Sequence, residues 1–318
     1  MTLLLGMSKP EGIYMSADDR VTDARTGKLT DDSSVKFLSV RYPPDKGGQT
    51  SLLAYTGLAN LPDGTPLGTW MRQTLRGKSE PFDKSMTHFG ARLDRDIARL
   101  KIPLIINLLV LQGERRYSGG FSNLEMDQKT LVRDSFGYHL QEQDLSLPGE
   151  RRYSGGSSNL EMDQGKIQVR DSFGYHLQEL EGPFVFADGS RASKVIANQH
   201  LKFRRAQLGV HPRRPLDHMK LLATINRGVA ERTKSVSPCC HVQFINSDDR
   251  NSPMSHTFLE GGETVPFEMP VVRFGIDLSD MTRRFHDHLG AFFRGEVDDL
   301  RGAYLDTDAM NKELRRRP

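Results

Sequence analysis

The sequence predicts a chain of mixed α and β structure, and two patterns carry that reading. Short apolar runs separated by turn residues fill the first sixty positions, while later stretches repeat apolar residues at three- and four-residue steps. In order the elements read as strands, helices, strands, helices, a strand and a helix. That order suits sheets with helices outside them, and periodicity alone goes no further than mixed α and β.

Positions 3–7, 12–17, 35–40 and 51–55 are apolar strand runs, broken by Pro10-Glu11-Gly12, Thr26-Gly27 and the turn-rich stretch 43–48. A loop at 61–66 (Leu-Pro-Asp-Gly-Thr-Pro) precedes a helix expected over 67–76. Over 81–100, Phe82, Met86, Phe89, Leu93, Ile97 and Leu100 line one face of an amphipathic helix and charges fill the other. Pro103 ends that helix, and 104–111 reads as a buried strand. Pro215 opens a second such helix with Met219, Leu222, Ile225 and Val229 on one face. A strand is expected at 241–245, and Leu278, Met281, Phe285, Leu289 and Phe292 mark a third helix before a polar, partly helical tail after Gly295.

With 318 residues and 36% hydrophobic content the chain can bury a real core as one large domain or two small ones. The division expected is a main domain over 1–275 and a C-terminal helix with polar tail over 276–318. The 44 basic and 41 acidic side chains nearly balance at +3, so no nucleic-acid footprint is implied, and Arg315-Arg316-Arg317 reads as a solvated tail. The two cysteines, Cys239 and Cys240, are adjacent and make no disulfide framework, which fits a cytoplasmic location. Leu3-Leu4-Leu5 is too short for a signal peptide, and no apolar run approaches membrane-spanning length.

The most informative feature is Thr2 directly after the initiator Met, with Asp18 sixteen residues later. A threonine with a free α-amine can activate its own hydroxyl, because an amine of pKa about 7.7–8.0 takes the proton and no histidine is needed. Removal of Met1, which a small second residue permits, would create that amine. The pattern points to an N-terminal-nucleophile hydrolase.

The segments around these residues resemble a proteasome-type β subunit. Met1-Thr2-Leu3-Leu4-Leu5-Gly6 is similar to the family's first strand, which starts at the catalytic Thr. Gly12-Ile13-Tyr14-Met15-Ser16-Ala17-Asp18-Asp19-Arg20-Val21-Thr22 resembles its second strand, with Ser16 in place of an Ala, and Asp18 keeps the family offset from the Thr. Ser34-Val35-Lys36-Phe37-Leu38 looks like the strand carrying the catalytic Lys, and the segment from Ser51 to Ala59 looks like the strand and turn whose Gly57 supplies an oxyanion-hole amide. Asp134-Ser135-Phe136-Gly137, or its duplicate at 171–174, resembles the "D-P-x-G" turn. Phe186-Ala187-Asp188-Gly189-Ser190 resembles the stretch before the third helix. The likeness spans about residues 1–245 and is specific in the first sixty.

The resemblance implies a four-layer αββα sandwich and a catalytic set of Thr2, Asp18, Lys36, Gly57, Arg20 and Ser190, with neither cofactor nor metal. Thr2 Oγ would attack a carbonyl. Lys36 would be the cation that favours deprotonation of the hydroxyl and lowers the α-amine pKa. Asp18 would fix Lys36, and Gly57 would offer a backbone N–H to the oxyanion, a donor worth about 2.7–4 kcal/mol. Arg20 would brace the Asp18 strand.

The chain departs from the family in three places. Lys36 lies two residues beyond the family spacing, so a longer hairpin over 23–32 must absorb them, and Lys28 is the alternative. Ala192 stands where a Ser is expected. The run Lys234-Ser235-Val236-Ser237-Pro238-Cys239 replaces "D-x-x-S-G-G". Each residue also has a plain alternative: Thr2 as an ordinary strand residue behind a retained Met, Asp18-Asp19-Arg20 as a solvated turn, Lys36 as a surface lysine.

The function expected is therefore amide-bond hydrolysis, on a peptide or a small amide, by a homo-oligomer whose interfaces use Phe285, Phe292 and Phe293. The alternative is a catalytically silent scaffold or assembly subunit on the same fold. Cys239-Cys240-His241 lacks a second ligand pair at zinc spacing, and His286-Asp287-His288 places its two histidines on different helix faces.

One tandem duplication stands apart. Residues 113–128 recur almost letter for letter at 149–164, and 132–142 recur at 169–179. Two copies do not make a solenoid. Such identity suggests a recent duplication or a cloning artefact, either a passive insertion or a partner-binding hairpin. The fold needs one strand–turn–strand unit between 111 and 184. The simplest expectation keeps the first half of copy one and the second half of copy two in the sheet, with 131–155 projecting as a loop or hairpin.

Overall fold

The N-terminal apolar runs fold where their pattern places them. The structure, a computed structural model, describes residues 2–22, 29–31, 34–43, 45, 48–78, 80–124, 131–134, 137–140, 169–204, 207, 214–247, 254–266, 270–273, 275–278, 291 and 294–296. Strand β1 (Leu4–Lys9) turns through Pro10-Glu11 into β2 (Gly12–Asp18), with Leu4 opposite Ala17 and Lys9 opposite Gly12. Every residue of both strands is buried, which explains why they read as continuous apolar runs instead of alternating ones. A short hairpin of β3 (Val21–Thr22) and β4 (Leu29–Asp31) follows, at the place where the late Lys36 calls for a longer connection. Then come β5 (Phe37–Arg41), β6 (Thr50–Gly57), α1 (Leu67–Leu75) and α2 (Phe82–Asp96). The helix expected to run to 100 ends earlier, and Ala98–Leu100 tightens into a 3₁₀ turn closed by Lys101 at a positive φ of 51°.

The chain continues through β7 (Leu104–Gln112), β8 (Arg115–Leu124), β9 (Leu131–Asp134), β10 (Gly137–Leu140), β11 (Val169–Glu179) and β12 (Phe184–Asp188). Two helices follow, α3 (Arg191–Phe203) and α4 (Pro215–Ala230), and Pro215 sits in the first turn of the second, where its missing N–H costs nothing. The last described strands are β13 (Cys240–Asn246), β14 (Met254–Phe258), β15 (Thr264–Pro266), β16 (Val271–Arg273) and β17 (Ile276–Asp277). Leu278, expected to start a helix, instead follows β17 and donates its N–H to Val271 O at 2.9 Å; the rest of that helix and the 279–290 stretch lie outside the described residues.

These elements make a mixed α+β fold on two large sheets. One has six strands in the order β12-β1-β2-β13-β14-β15. The other has seven in the order β11-β8-β7-β6-β5-β16-β17, antiparallel except where β16 runs parallel to β5. Three apolar clusters hold the molecule together. Leu4, Ile13 and Met15 of the six-stranded sheet meet Phe37, Leu52 and Leu109 of the other. The opposite face of the seven-stranded sheet packs Leu53, Ile106 and Leu108 on Trp70, Met86 and Phe89 of α1 and α2. The opposite face of the six-stranded sheet packs Leu5, Val242 and Phe244 on Leu201, Met219 and Leu222 of α3 and α4.

The duplication resolves as its economy suggests. Strand β8, from the first half of copy one, pairs with β11, from the second half of copy two, with Phe121 opposite Tyr175 and Gly120 opposite His176. The intervening β9 and β10 pair only with each other, Gly137 opposite Asp134. The remainder of the expected projection lies outside the described residues.

Candidate active site

Thr2 enters β1 at one end of the six-stranded sheet and is 6% exposed. The end of β2 clamps the residue after it from both sides of the peptide. Leu3 N donates to Asp18 Oδ1 at 2.7 Å, and Asp18 N donates to Leu3 O at 3.2 Å. The Thr2–Asp18 offset thus has a mechanical meaning: a tight hairpin returns the carboxylate to the residue it left from. Asp18 Oδ2 accepts a further hydrogen bond from Ser237 N at 3.3 Å, in the loop before β13.

Lys36 stands one residue before β5 in the other sheet. Its ammonium lies 3.5 Å from Asp18 Oδ1 and donates to Arg20 O at 2.5 Å. Asp18 and Lys36 are 0% and 1% exposed. Burial pushes the Asp18 carboxyl up, opposed by the charge of Lys36 and the two backbone N–H groups. Burial pulls the Lys36 ammonium down, opposed by the charge of Asp18. Lys28, the alternative, lies outside the described residues.

Arg20 reaches across to the loop before β13. Its guanidinium donates to Lys234 O at 2.8 Å and Val236 O at 3.3 Å, holding the loop whose Ser237 supports Asp18. Gly57 closes β6 at φ 104°, and a Cβ there would lie 2.1 Å from Pro103 O, so only glycine fits. Since Phe37 faces Ala54 in the β5–β6 ladder, Gly57 lies at the same end of that sheet as Lys36. Ser190 is the N-cap of α3: its Oγ accepts from Ser193 N at 3.1 Å and lies 2.7 Å from Ser193 Oγ. Ser193 Oγ is also within reach of the Ser190 carbonyl, donating to Ser190 O at 2.9 Å.

Sequence reasoning missed Ser193, the Ser237 amide, and a second polar group on β12. There Asp188 Oδ1 accepts from Gly189 N at 2.7 Å, Asp188 Oδ2 accepts from Asn107 Nδ2 at 2.8 Å, and Lys194 Nζ lies 3.8 Å from Asp188 Oδ1. The Ser-x-x-Ser spacing of an N-cap was a readable signal for Ser193; the long-range contacts had none. Among the described residues no group of three or more His, Cys, Asp or Glu gathers as metal ligands. Among the same residues no helix is long and apolar enough to cross a membrane. The arrangement offers a fixed cation and a buried carboxylate against the backbone that carries a threonine, a setting in which a hydroxyl can act as a nucleophile.

No family model matches the sequence, and no curated protein matches it. Solved structures of weak likeness include an Anbu (Gly-1) mutant from Hyphomicrobium sp. strain MC1, at 10% identity over 94% of this chain and 99% of that one, with a TM-score of 0.45. Others are Anbu (ancestral beta-subunit) from Yersinia bercovieri, at 13% identity over 77% and 82% with a TM-score of 0.43, and the helical assembly of the Anbu complex from Pseudomonas aeruginosa, at 12% identity over 95% and 99% with a TM-score of 0.43. Likeness at this level settles neither family nor chemistry.

Proposed function

We propose that the chain is a proteasome-like N-terminal-threonine hydrolase that cleaves amide bonds through Thr2 once Met1 is removed. The observation that carries the reading is the 2.7 Å bond from Leu3 N to Asp18 Oδ1, with Lys36 3.5 Å from the same oxygen in full burial. It ties the residue beside the proposed nucleophile to a carboxylate and a cation. Thr2 Oγ attacks the amide carbonyl while the α-amine takes its proton. The C–N bond then breaks as that proton passes to the leaving amine, and water hydrolyses the Thr2 ester to free the acid. Lys36 supplies positive charge, Asp18 holds Lys36, and Gly57 N–H faces the oxyanion. Arg20 and Ser190 position their loops. The three apolar clusters support a four-layer αββα sandwich, whose seven-stranded sheet takes in β17 (Ile276–Asp277) and so runs past the domain division expected at 275. The protein acts in the cytoplasm without a cofactor.

The test is intact mass followed by labelling with a threonine-directed β-lactone. The expected result is loss of Met1, one adduct on Thr2, and no adduct on Thr2→Ala. Labelling of Thr2→Ala at the wild-type rate would sink the assignment. A panel of peptides against small amides then separates peptidase from amidohydrolase.

The second reading, a silent scaffold, keeps Met1 in place, with Thr2 a buried strand residue at 6% exposure in the chain that carries it. Retained Met1 with no adduct would favour it. Under either reading the chain self-associates. Phe203 and Val195 of α3 are 87% and 50% exposed, surface apolar groups of the kind interfaces cover; Phe285, Phe292 and Phe293 lie outside the described residues. Light scattering at micromolar concentration should give a mass well above the 35.9 kDa monomer, and a pure monomer would remove the oligomer.

A further inference from the structure

A second lysine–carboxylate pair stands on the other strand flanking β1. In the β1–β12 ladder Leu4 faces Asp188, so Gly189 and Ser190 continue past Leu3 and Thr2. The approach there is close: a Cβ on Gly189 would lie 2.5 Å from Thr2 O, and Gly189 has a φ of 143°. Asp188 holds this turn through Gly189 N, and Lys194, one turn into α3, donates its backbone N–H to Ser190 O at 2.8 Å. The side chains of Asp188 and Lys194 are 4% and 7% exposed, and Asn107 of the other sheet donates to the second carboxylate oxygen. A buried ion pair contributes little net stability compared with an apolar replacement, so stability is a poor reason for placing one at this turn.

We propose that Lys194 and Asp188 are positioning residues for Thr2, fixing the Gly189–Ser190 turn against its backbone and balancing charge on the side opposite Asp18 and Lys36. The proposal rests on the reading of Thr2 as nucleophile. It makes a signed prediction. Lys194→Met leaves a negative charge beside Thr2, which raises the α-amine pKa. Asp188→Asn leaves a positive charge, which lowers it. Structural damage alone would not move the two in opposite directions.

The experiment measures β-lactone labelling rate against pH for the full chain. We expect the rising limb to move to higher pH in Lys194→Met and to lower pH in Asp188→Asn. The plateau should fall roughly tenfold or more in each, as misplacement by about 1 Å can cost up to ~100-fold. Lys194→Arg, which keeps the charge, should restore the wild-type midpoint. Wild-type midpoints in both variants, or shifts of the same sign, would overturn the proposal. If wild-type protein is not labelled at all, the reading of Thr2 fails separately, and amide hydrogen exchange decides the turn. Faster exchange at Gly189 and Leu3 in Asp188→Asn, the isosteric and mildest variant, is then expected, and unchanged exchange at both would overturn the positioning role.

Discussion

Lys36 and Asp18 come from different sheets, and their meeting has energetic consequences. An ion pair with 0% and 1% exposure adds little when intact, because desolvation offsets attraction. Breaking it is another matter. Lys36→Ala leaves the Asp18 carboxylate buried with only two backbone donors, and removal of one partner from such a pair costs about 3–5 kcal/mol. Lys36→Ala should therefore unfold at clearly lower urea than wild type and also lose labelling at Thr2. Restoring neutrality with Asp18→Asn in the same chain should recover stability without recovering labelling. Equal urea midpoints for wild type and Lys36→Ala would show that the pair is not coupled in solution.

At the scale of elements, the duplicated unit yields the sharpest test. Copy one carries Phe121 where copy two carries Ser157. Phe121 is buried at 1% exposure, stacked on Tyr175 at 4.6 Å and edge-on to Phe89 at 5.3 Å. The two copies are thus unequal, and two deletions of the same length should differ. Excising 129–164 keeps β8 and β11 and joins Gln128 to Gly165. Its melting temperature should stay within a few degrees of wild type, since shortening a connection changes loop entropy by only about 0.6 kcal/mol per halving. Excising 114–149 puts Ser157 in the Phe121 position. Loss of a buried phenylalanine costs about 3–5 kcal/mol, roughly 6–10 °C at about 2 °C per kcal/mol for a chain of this size. Equal melting temperatures for the two deletions would show that β8 and β11 do not pair as described. The same elements show what was legible. Strands β1, β2, β6 and β7 announce themselves because they are long, continuous apolar runs bounded by turn residues. The short β14 to β17 do not, since a run such as Met254-Ser255-His256-Thr257-Phe258 is half polar and mostly part-exposed. The Thr2–Asp18 relation was readable because one hairpin makes it. The Asn107–Asp188 bond was not, because it joins positions 81 apart on different sheets.

For the whole molecule, the seam between the sheets is held by polar as well as apolar contacts. Lys36 with Asp18 and Asn107 with Asp188 each cross it. His241 and Gln243 lie on the seam side of β13, since Cys240, Val242 and Phe244 face the helices while Ile245 joins the central cluster. His241 is 6% exposed, and burial, aided by the charge of Lys36, lowers its pKa from 6.5 to about 4. The sign follows from proton counting. Between pH 6.5 and about 4 the unfolded chain binds a proton at this position that the folded chain refuses, so stability rises with pH across that window and is lost as pH falls through it. At 1.36 kcal/mol per unit the contribution is about 3 kcal/mol. Burial lowers His176 and His256 in the same direction, so they add to the slope. His241→Gln removes one titrating group and keeps a polar side chain in its place. Wild-type protein should therefore lose more stability between pH 7 and pH 4.5 than His241→Gln, by about 2–3 kcal/mol in urea unfolding. Parallel pH profiles for the two proteins would mean that His241 takes up its proton in the folded state, and that the seam admits enough water to solvate it.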